Sequence, residues 1–219
     1  MTVNTPSASA PAPAASPAPQ FRIDWRDRVS ALLTIAVTLV ALLLGLLLRN
    51  SVEARTRSYA DASGVGIQYP AWWRLNTDEA AAGILSVRDA DAPGYPTTFE
   101  LRWLAVDPQA GDEEALAGAA NTLALNRGRD LAAFQLYEVV VEPDAAGMAH
   151  GLPGAEATYV FVDAGGGPFQ ERLPAVVLGQ DVLLRKGGRA YVFSLLATEE
   201  NRPDALSLFR AFVESAKLP

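Results

Sequence analysis

The chain has 219 residues, 50% of them apolar, with 18 Lys and Arg against 25 Asp and Glu, one His and no Cys. That length suits one domain of ordinary size with an appendage. Without cysteine there is no disulfide framework, thiol nucleophile, thiolate zinc site, iron–sulfur cluster or lipidated cysteine, and one histidine excludes a two-His metal site within one chain. A net charge of −7 offers no basic surface to neutralise phosphates, so nucleic acid is not an expected partner.

Residues 1–20, MTVNTPSASAPAPAASPAPQ, carry no charge and hold five of the 15 prolines. Such a segment buries too little to offset its ordering entropy and is predicted to be disordered. A proline-rich docking ligand would want basic neighbours, and the nearest is Arg22, so a spacer is the plainer reading. Residues 21–28 form a charged juxtamembrane segment with Arg22, Arg26, Asp27 and Arg28.

From Val29 to Leu48 run 20 residues without a charge. At 1.5 Å per residue they make about 30 Å of helix, the thickness of a bilayer's hydrocarbon core. A buried core helix would show a polar stripe, and here only Ser30, Thr34 and Thr38 are polar. A cleaved signal peptide has a shorter apolar region, about 7–15 residues, and then a small-residue cleavage site. The segment after Leu48 is RNSVEARTRSYA, too charged for such a site, so an uncleaved single-pass anchor is expected. Orientation is not settled by charge, because Arg22, Arg26 and Arg28 before the span balance Arg49, Arg55 and Arg57 after it. Within the span Ser30, Thr34, Thr38, Ala41 and Gly45 fall on one helical face. Thr34, Thr38, Ala41 and Gly45 are therefore candidates for close contact with a membrane-protein partner. The competing reading is that the hydroxyls bond their own turn.

Residues 49–57 read as a polar linker, and 58–219 as one soluble domain. The latter carries 12 Lys and Arg against 22 Asp and Glu, a net of −10. It should be repelled by anionic lipid headgroups rather than lie on them. In Thr98–Trp103 the polar Thr98, Glu100 and Arg102 alternate with Phe99, Leu101 and Trp103, which predicts a strand with one wet face. Ile84–Asp89, Phe134–Glu142, Ala155–Val162 and Arg189–Ala197 are also expected strands. YEVVVE and TYVFV are apolar on both faces, which requires a sheet covered on both sides. Gly165–Gly167 and the Gly187–Gly188 pair supply the backbone freedom of tight hairpins.

Two helices complete the pattern. Asp112–Asn126 opens with acids suited to the positive end of the helix dipole and aligns Leu116, Ala120 and Leu123. Pro203–Lys217 has Pro203 and Asp204 in its first turn and aligns Leu206, Phe209, Phe212, Val213 and Ala216. The predicted architecture is α+β, a largely antiparallel sheet flanked by helices as an α/β/α sandwich, preceded by one transmembrane helix.

GVGIQYPAWWRL, with Tyr69, Pro70 and then Trp72 or Trp73 in an aromatic-Pro-x-x-Trp pattern, resembles the first strand of PsbP-like proteins. So does the end of the chain, with Gly188, Tyr191 and Ser194 in KGGRAYVFSLLA and a helix closing on Val213, Glu214 and Ser215. The family includes the photosystem subunit P and bacterial secreted or membrane-tethered relatives. The resemblance covers about Gly64–Leu218. Where the family often ends in Ser-Phe, this chain has Ser215 then Ala216. It implies the family's fold, a binding or assembly role without catalysis, and an extracytoplasmic carboxyl-terminal domain.

Candidate site residues are few. His150, in a glycine-rich loop, lacks the Ser or Asp neighbours of a catalytic arrangement, and no nucleophile elbow, HExxH or phosphate loop occurs. Asp89 and Asp91 with Gly94 look like the start of a calcium loop, but a third acid and the distal glutamate are missing, so a solvated turn is the plainer reading. No metal site and no cofactor is expected. Trp72 and Trp73 are the candidates for partner binding. On extended chain they face opposite sides, so if one enters the core the other is directed to the surface or a second layer; packing of both in the core is the competing reading. Tyr69, Tyr95 and Trp103 would extend such a pocket. The expected role is a membrane-anchored, non-enzymatic binding or assembly module. The alternatives are a carboxylate-dependent hydrolase using Asp89, Asp91 or Glu100, and an accessory subunit recruited through its transmembrane helix.

Overall fold

The structure, a computed structural model, describes residues 25–53, 55–76, 83–141, 151–164 and 173–219. The expected disordered tail at 1–20, His150 and Gly165–Gly167 lie outside the described residues.

The chain divides into two compact units, Met1–Asn50 and Ser51–Pro219. The first contains most of α1 (Trp25–Glu53). Its stretch Arg28–Leu48 is 21 residues with a mean hydropathy of 2.8, one helix long and apolar enough to cross a membrane. Leu32, Leu43 and Leu47 are exposed, which water would penalise and hydrocarbon would not. The polar stretch 49–57 is shared between elements, since α1 continues to Glu53 and β1 opens at Thr56.

The second unit is built from β1 (Thr56–Ala60), β2 (Gly66–Pro70), β3 (Arg74–Leu75), β4 (Leu85–Asp89), β5 (Thr97–Ala105), α2 (Asp112–Asp130), β6 (Ala132–Val141), β7 (Gly154–Asp163), β8 (Ala175–Lys186), β9 (Arg189–Ala197) and α3 (Arg202–Glu214). β1 and β2 form an antiparallel pair, and the others make a seven-stranded antiparallel sheet in the order β3-β4-β5-β9-β8-β7-β6. The expected α+β sandwich is what the chain forms, and its late strand β9 sits at the centre between β5 and β8. That position explains why YVFSL is buried at every residue: both faces of a central strand are covered.

On one face α3 lays Phe209, Phe212 and Val213 against Phe99, Leu101, Phe193 and Leu195. Phe99 is the hub, with ring centroids 5.4 Å from Phe209, 5.1 Å from Phe212 and 4.3 Å from Trp73. Each such ring contributes about 1.5–3 kcal/mol by leaving water. On the other face α2 packs Leu116, Ala119, Ala120 and Leu123 on Leu183, Ala190 and Val192. The apolar spacing read from the sequence is the buried face of both helices.

Several details differ from expectation. α2 runs a turn beyond Asn126, because Arg127 is held by partners on the sheet and the Leu131 N–H bonds the Arg127 carbonyl. α3 stops at Glu214, and the Lys217 backbone instead pairs with Gly66 through hydrogen bonds of 3.0 and 2.7 Å. Ser215 Oγ accepts the Gln68 N–H at 2.9 Å and donates to the Phe212 carbonyl at 2.8 Å, so the closing serine joins α3 to β2. β1 and β8 had no prediction of their own. Thr98, expected on a wet face, is buried: it pairs with Leu196 of β9, and its hydroxyl donates to the Pro96 carbonyl at 2.9 Å. The β8–β9 hairpin does turn at Gly187, which has φ 61°.

Candidate functional site

A cleft of about 310 Å³ opens where three segments converge: the turn after β2, the turn after β4 and the first turns of α3. It is lined by Trp72 and Trp73, by Asp89, Asp91, Ala92 and Pro93, by Thr97, and by Asn201, Asp204, Ala205 and Leu208. The two tryptophans lie in the Ala71–Trp73 turn rather than in extended chain, with the Trp73 N–H bonded to the Pro70 carbonyl at 3.1 Å. Proline closes β2 because it cannot donate to a ladder, and the turn then swings both indoles toward α3.

The two differ sharply in burial. Trp73 is 3% exposed and packs on Phe99. Its Nε1 is the buried side-chain nitrogen without a hydrogen-bond partner among the described residues, a cost of about 1–3 kcal/mol. Trp72 is half-buried and leans on the same core.

The acidic wall comes from turn chemistry. Asp89 ends β4, and its Oδ1 accepts the Asp91 N–H at 3.1 Å, the local bond that makes aspartate a turn former. Asn201 Nδ2 donates to the Pro93 carbonyl at 3.3 Å and fastens this turn to the start of α3. Asp204 lies in the first turn of α3, where a carboxylate suits the helix dipole. None of Asp89, Asp91 and Asp204 forms an ion pair among the described residues.

The other candidates are dispersed. Tyr69 is in the core, Tyr95 stands edge-on to Phe161 with centroids 6.3 Å apart, and Trp103 lies under the Arg189 guanidinium at 4.6 Å. None of the three lines the tryptophan cleft. Glu100, grouped with Asp89 and Asp91 for hydrolysis, is paired instead with Arg102 and does not line the cleft. In α1 the Thr34 hydroxyl donates to the Ser30 carbonyl and the Thr38 hydroxyl to the Thr34 carbonyl, both at 2.9 Å. Those donors are occupied within their own helix. Ala41 and Gly45 remain as small positions, with open space where a Cβ at Gly45 would stand.

A second polar group lies on the α2 side of the sheet. Arg127 pairs with Asp181, donates to Ser194 Oγ at 3.0 Å and lies 4.1 Å over the ring of Tyr159, whose hydroxyl donates to Asp181 Oδ1 at 3.3 Å. Asp181, Ser194 and Tyr159 are almost fully buried. Burial pushes the Tyr159 hydroxyl well above the ordinary tyrosine range, and the Asp181 carboxylate adds to it. For Arg127 burial opposes the charge, but Asp181, Tyr159 and Glu100 together outweigh it and hold the guanidinium above its ordinary value. Every member has a partner, so the group ties α2 to the sheet and leaves nothing free for a ligand.

Sequence reasoning found Trp72, Trp73, Asp89 and Asp91 separately and did not join them. It missed Asn201 and Leu208, and treated Asp204 only as a helix start. The Arg127–Asp181 pair was also missed, although a lone acid inside the apolar AVVLGQDVLL is a usable sign of a buried partner.

A seven-stranded antiparallel sheet with one helix on each face, a two-stranded annex and a closing helix bonded back to the annex defines a PsbP-like fold. The cyanobacterial PsbP of Synechocystis has this fold: its solution structure superposes with a TM-score of 0.51 at 13% identity, covering 76% of this chain and 94% of that one. A Pseudomonas aeruginosa protein described as a putative regulator, PA94, matches at a TM-score of 0.45 and 14% identity over 76% of this chain and 98% of its own. LpqN of Mycobacterium tuberculosis, described as involved in cell envelope biogenesis, matches at 0.42 and 14% over 74% and 90%. No protein-family model matches the sequence, and no curated protein does.

Proposed function

We propose that the protein is a membrane-tethered binding module that performs no chemistry, anchored by α1 and docking a partner through the cleft of Trp72 and Trp73. The observation that carries the reading is the half-buried Trp72 indole, which lines one concavity with Trp73, Asp89, Asp91 and Asp204. Aromatic anchors of this sort concentrate binding energy. The length and hydropathy of Arg28–Leu48 support an uncleaved anchor, as does the charged sequence after it. The extracytoplasmic placement of the carboxyl-terminal domain rests on the PsbP-like fold and its secreted relatives, since the flanking arginines balance. The hydrolase alternative loses Glu100, which pairs with Arg102 away from the cleft, and would rest on Asp89 and Asp91.

Affinity capture from detergent-solubilised native membranes tests the reading, with the full chain, residues 55–219 and the full chain carrying Trp72→Ala run in parallel. A partner retained by the first two and lost by the third is the expected result. A partner held by the full chain alone and indifferent to Trp72→Ala would transfer recognition to the Thr34–Gly45 face of α1. Accumulation of a shortened, soluble form in place of a membrane-bound one would remove the anchor.

A further inference from the structure

The α3 side of the large sheet is covered over only part of its width. Residues directly opposite in an antiparallel ladder share a face, and the register puts Gln180, Val182 and Leu184 of β8 beside Leu195, Phe193 and Tyr191 of β9. Leu184 and Val182 are in the α3 core, at 0% and 8% exposure, whereas Val176 at the far end of the same row is 60% exposed. Gln180 marks the border: its Oε1 accepts from Arg202 of α3 at 3.3 Å, and its Nε2 donates to Glu156 of β7 at 2.6 Å. Beyond it the ladder sets Val160 against Leu178 and Val162 against Val176, while Gln135, Glu138 and Val140 of β6 complete the face. Val140, Val160, Val162, Val176 and Leu178 belong to none of the three core clusters formed by the described residues. In TYVFV only Tyr159 and Phe161 are buried, on the α2 side, so the valines keep an apolar surface that the chain's own core does not use.

The size and charge of this face narrow what it takes. Three strands about 4.8 Å apart, open over six residues at about 3.3 Å each, give about 14 by 20 Å, or about 280 Å². That is far below the roughly 800 Å² each partner of a standard stable interface covers. It matches one α-helix, about 10 Å across and about 20 Å long over 14 residues, close to the 13 residues of α3 on the neighbouring half. The charges that β6–β8 bring to the face are Glu138 and Glu156, neither in an ion pair among the described residues. A second copy would set the same carboxylates, and a domain of net charge −10, against them. The free edge of β6 is a poor template for an added strand, because two register shifts and the φ of 50° at Ala133 interrupt its row of donors and acceptors.

We propose that this open half of the sheet docks one amphipathic helix of a protein partner, its apolar stripe on Val160, Val162, Val176 and Leu178 and its flank carrying lysine or arginine toward Glu138 and Glu156. Such a helix does from outside what Phe209 and Phe212 of α3 do from within. The surface shares no residue with the Trp72–Trp73 cleft, so the two readings fail separately.

The test uses full-length protein in phosphatidylcholine nanodiscs, with ¹³C-labelled Leu and Val methyl groups. The probes are three acetylated, amidated peptides of about 14 residues, the length of the face. One has leucine and lysine at the helical period, the second has them in strict alternation, and the third is the first with glutamate for lysine. The lysine helix should shift the Val160, Val162, Val176 and Leu178 methyl resonances saturably. Its apparent Kd should be lower than that of either other peptide by about tenfold or more, and should rise by a similar factor in Val160→Thr plus Val176→Thr. Raised salt should weaken it. Threonine keeps the β-branched shape, and unmoved Leu183 and Leu195 methyl resonances show that the double variant is folded. Equal binding by the alternating peptide overturns the helix, and equal binding by the glutamate peptide overturns the basic flank. Saturable shifts at Leu208 of the cleft in place of these four overturn docking here. Shifts of the four that grow with protein concentration in the absence of peptide give the face to a second copy instead. No saturable shift from the lysine helix up to about 1 mM overturns the inference outright.

Discussion

Gly179 of β8 faces Tyr159 of β7 across the ladder, and adding one methyl group there should be disproportionately costly. A Cβ at Gly179 would stand 2.1 Å from Cε2 and Cζ of Tyr159 and 2.6 Å from its hydroxyl oxygen, where carbon atoms normally keep about 3.5–4.0 Å. The ring has to retreat by about 1.5 Å on that spacing. It has little room, being 1% exposed, with the Arg127 guanidinium 4.1 Å from its centroid and Phe134 at 5.5 Å. Overpacking of this kind costs about 1–3 kcal/mol. Displacing the ring also strains the Tyr159–Asp181 bond and presses on Arg127, and a disrupted buried ion pair costs about 3–5 kcal/mol. Gly179→Ala is therefore expected to lose about 3–5 kcal/mol, although Gly→Ala within a strand ordinarily gains about 0.5–1 kcal/mol. Urea unfolding of residues 55–219, followed by tryptophan fluorescence, measures it. In a Tyr159→Ala background the clash is absent, so the two changes should couple by at least about 2 kcal/mol. A Gly179→Ala protein within about 0.5 kcal/mol of the parent, or a coupling near zero, would refute the packing argument.

Asp181→Asn keeps the shape of the side chain but leaves Arg127 charged against the sheet, so urea midpoints should show a loss of about 3–5 kcal/mol, while Arg127→Met with Asp181→Leu should recover much of it. Tyr159 holds its proton more tightly folded than unfolded. Its contribution is complete below the unfolded value of about 10 and is lost above it, so stability should fall by up to about 1.4 kcal/mol per pH unit there. Tyr159→Phe should remove that component from the alkaline limb, and absorbance at 295 nm should show one tyrosine ionising only as the domain unfolds. Ala133 holds φ 50° beside the β6 bulge, a backbone region that costs a residue with a Cβ about 1–2 kcal/mol, so Ala133→Gly should raise the urea midpoint modestly.

Local periodicity made much of the architecture legible before any fold was known. The uncharged Val29–Leu48 run read as a helix long and apolar enough to cross a membrane, because length and hydropathy are summed along the chain and need no neighbour. The Phe209, Phe212 and Val213 stripe and the Leu116, Ala120 and Leu123 stripe each had one buried side. The PsbP-like pattern at Tyr69–Trp73 and at Ser215 marks places where the chain must turn or join, and those features likewise sit close together in sequence. Trp72 and Trp73 stood out as a pair for the same reason.

Long-range partnership was decided elsewhere. Nothing within the sequence windows around Asp89, Asp91 and Asp204 joins them, since α3 lies more than a hundred residues beyond β4 and meets it only because β9 enters the sheet beside β5. The same insertion sets Leu196 beside Thr98 and places Arg189 over Trp103. Asp181 appeared as an oddity in an apolar strand, and only the crossing of α2 over the sheet supplied Arg127 as its counter-charge. The chain's own chemistry specified which faces had to be hidden and which helix was long and apolar enough to cross a membrane; which carboxylates would share a cleft with two indoles depended on strand order, a property of hydrogen-bonded pairing between distant segments that no local pattern encodes.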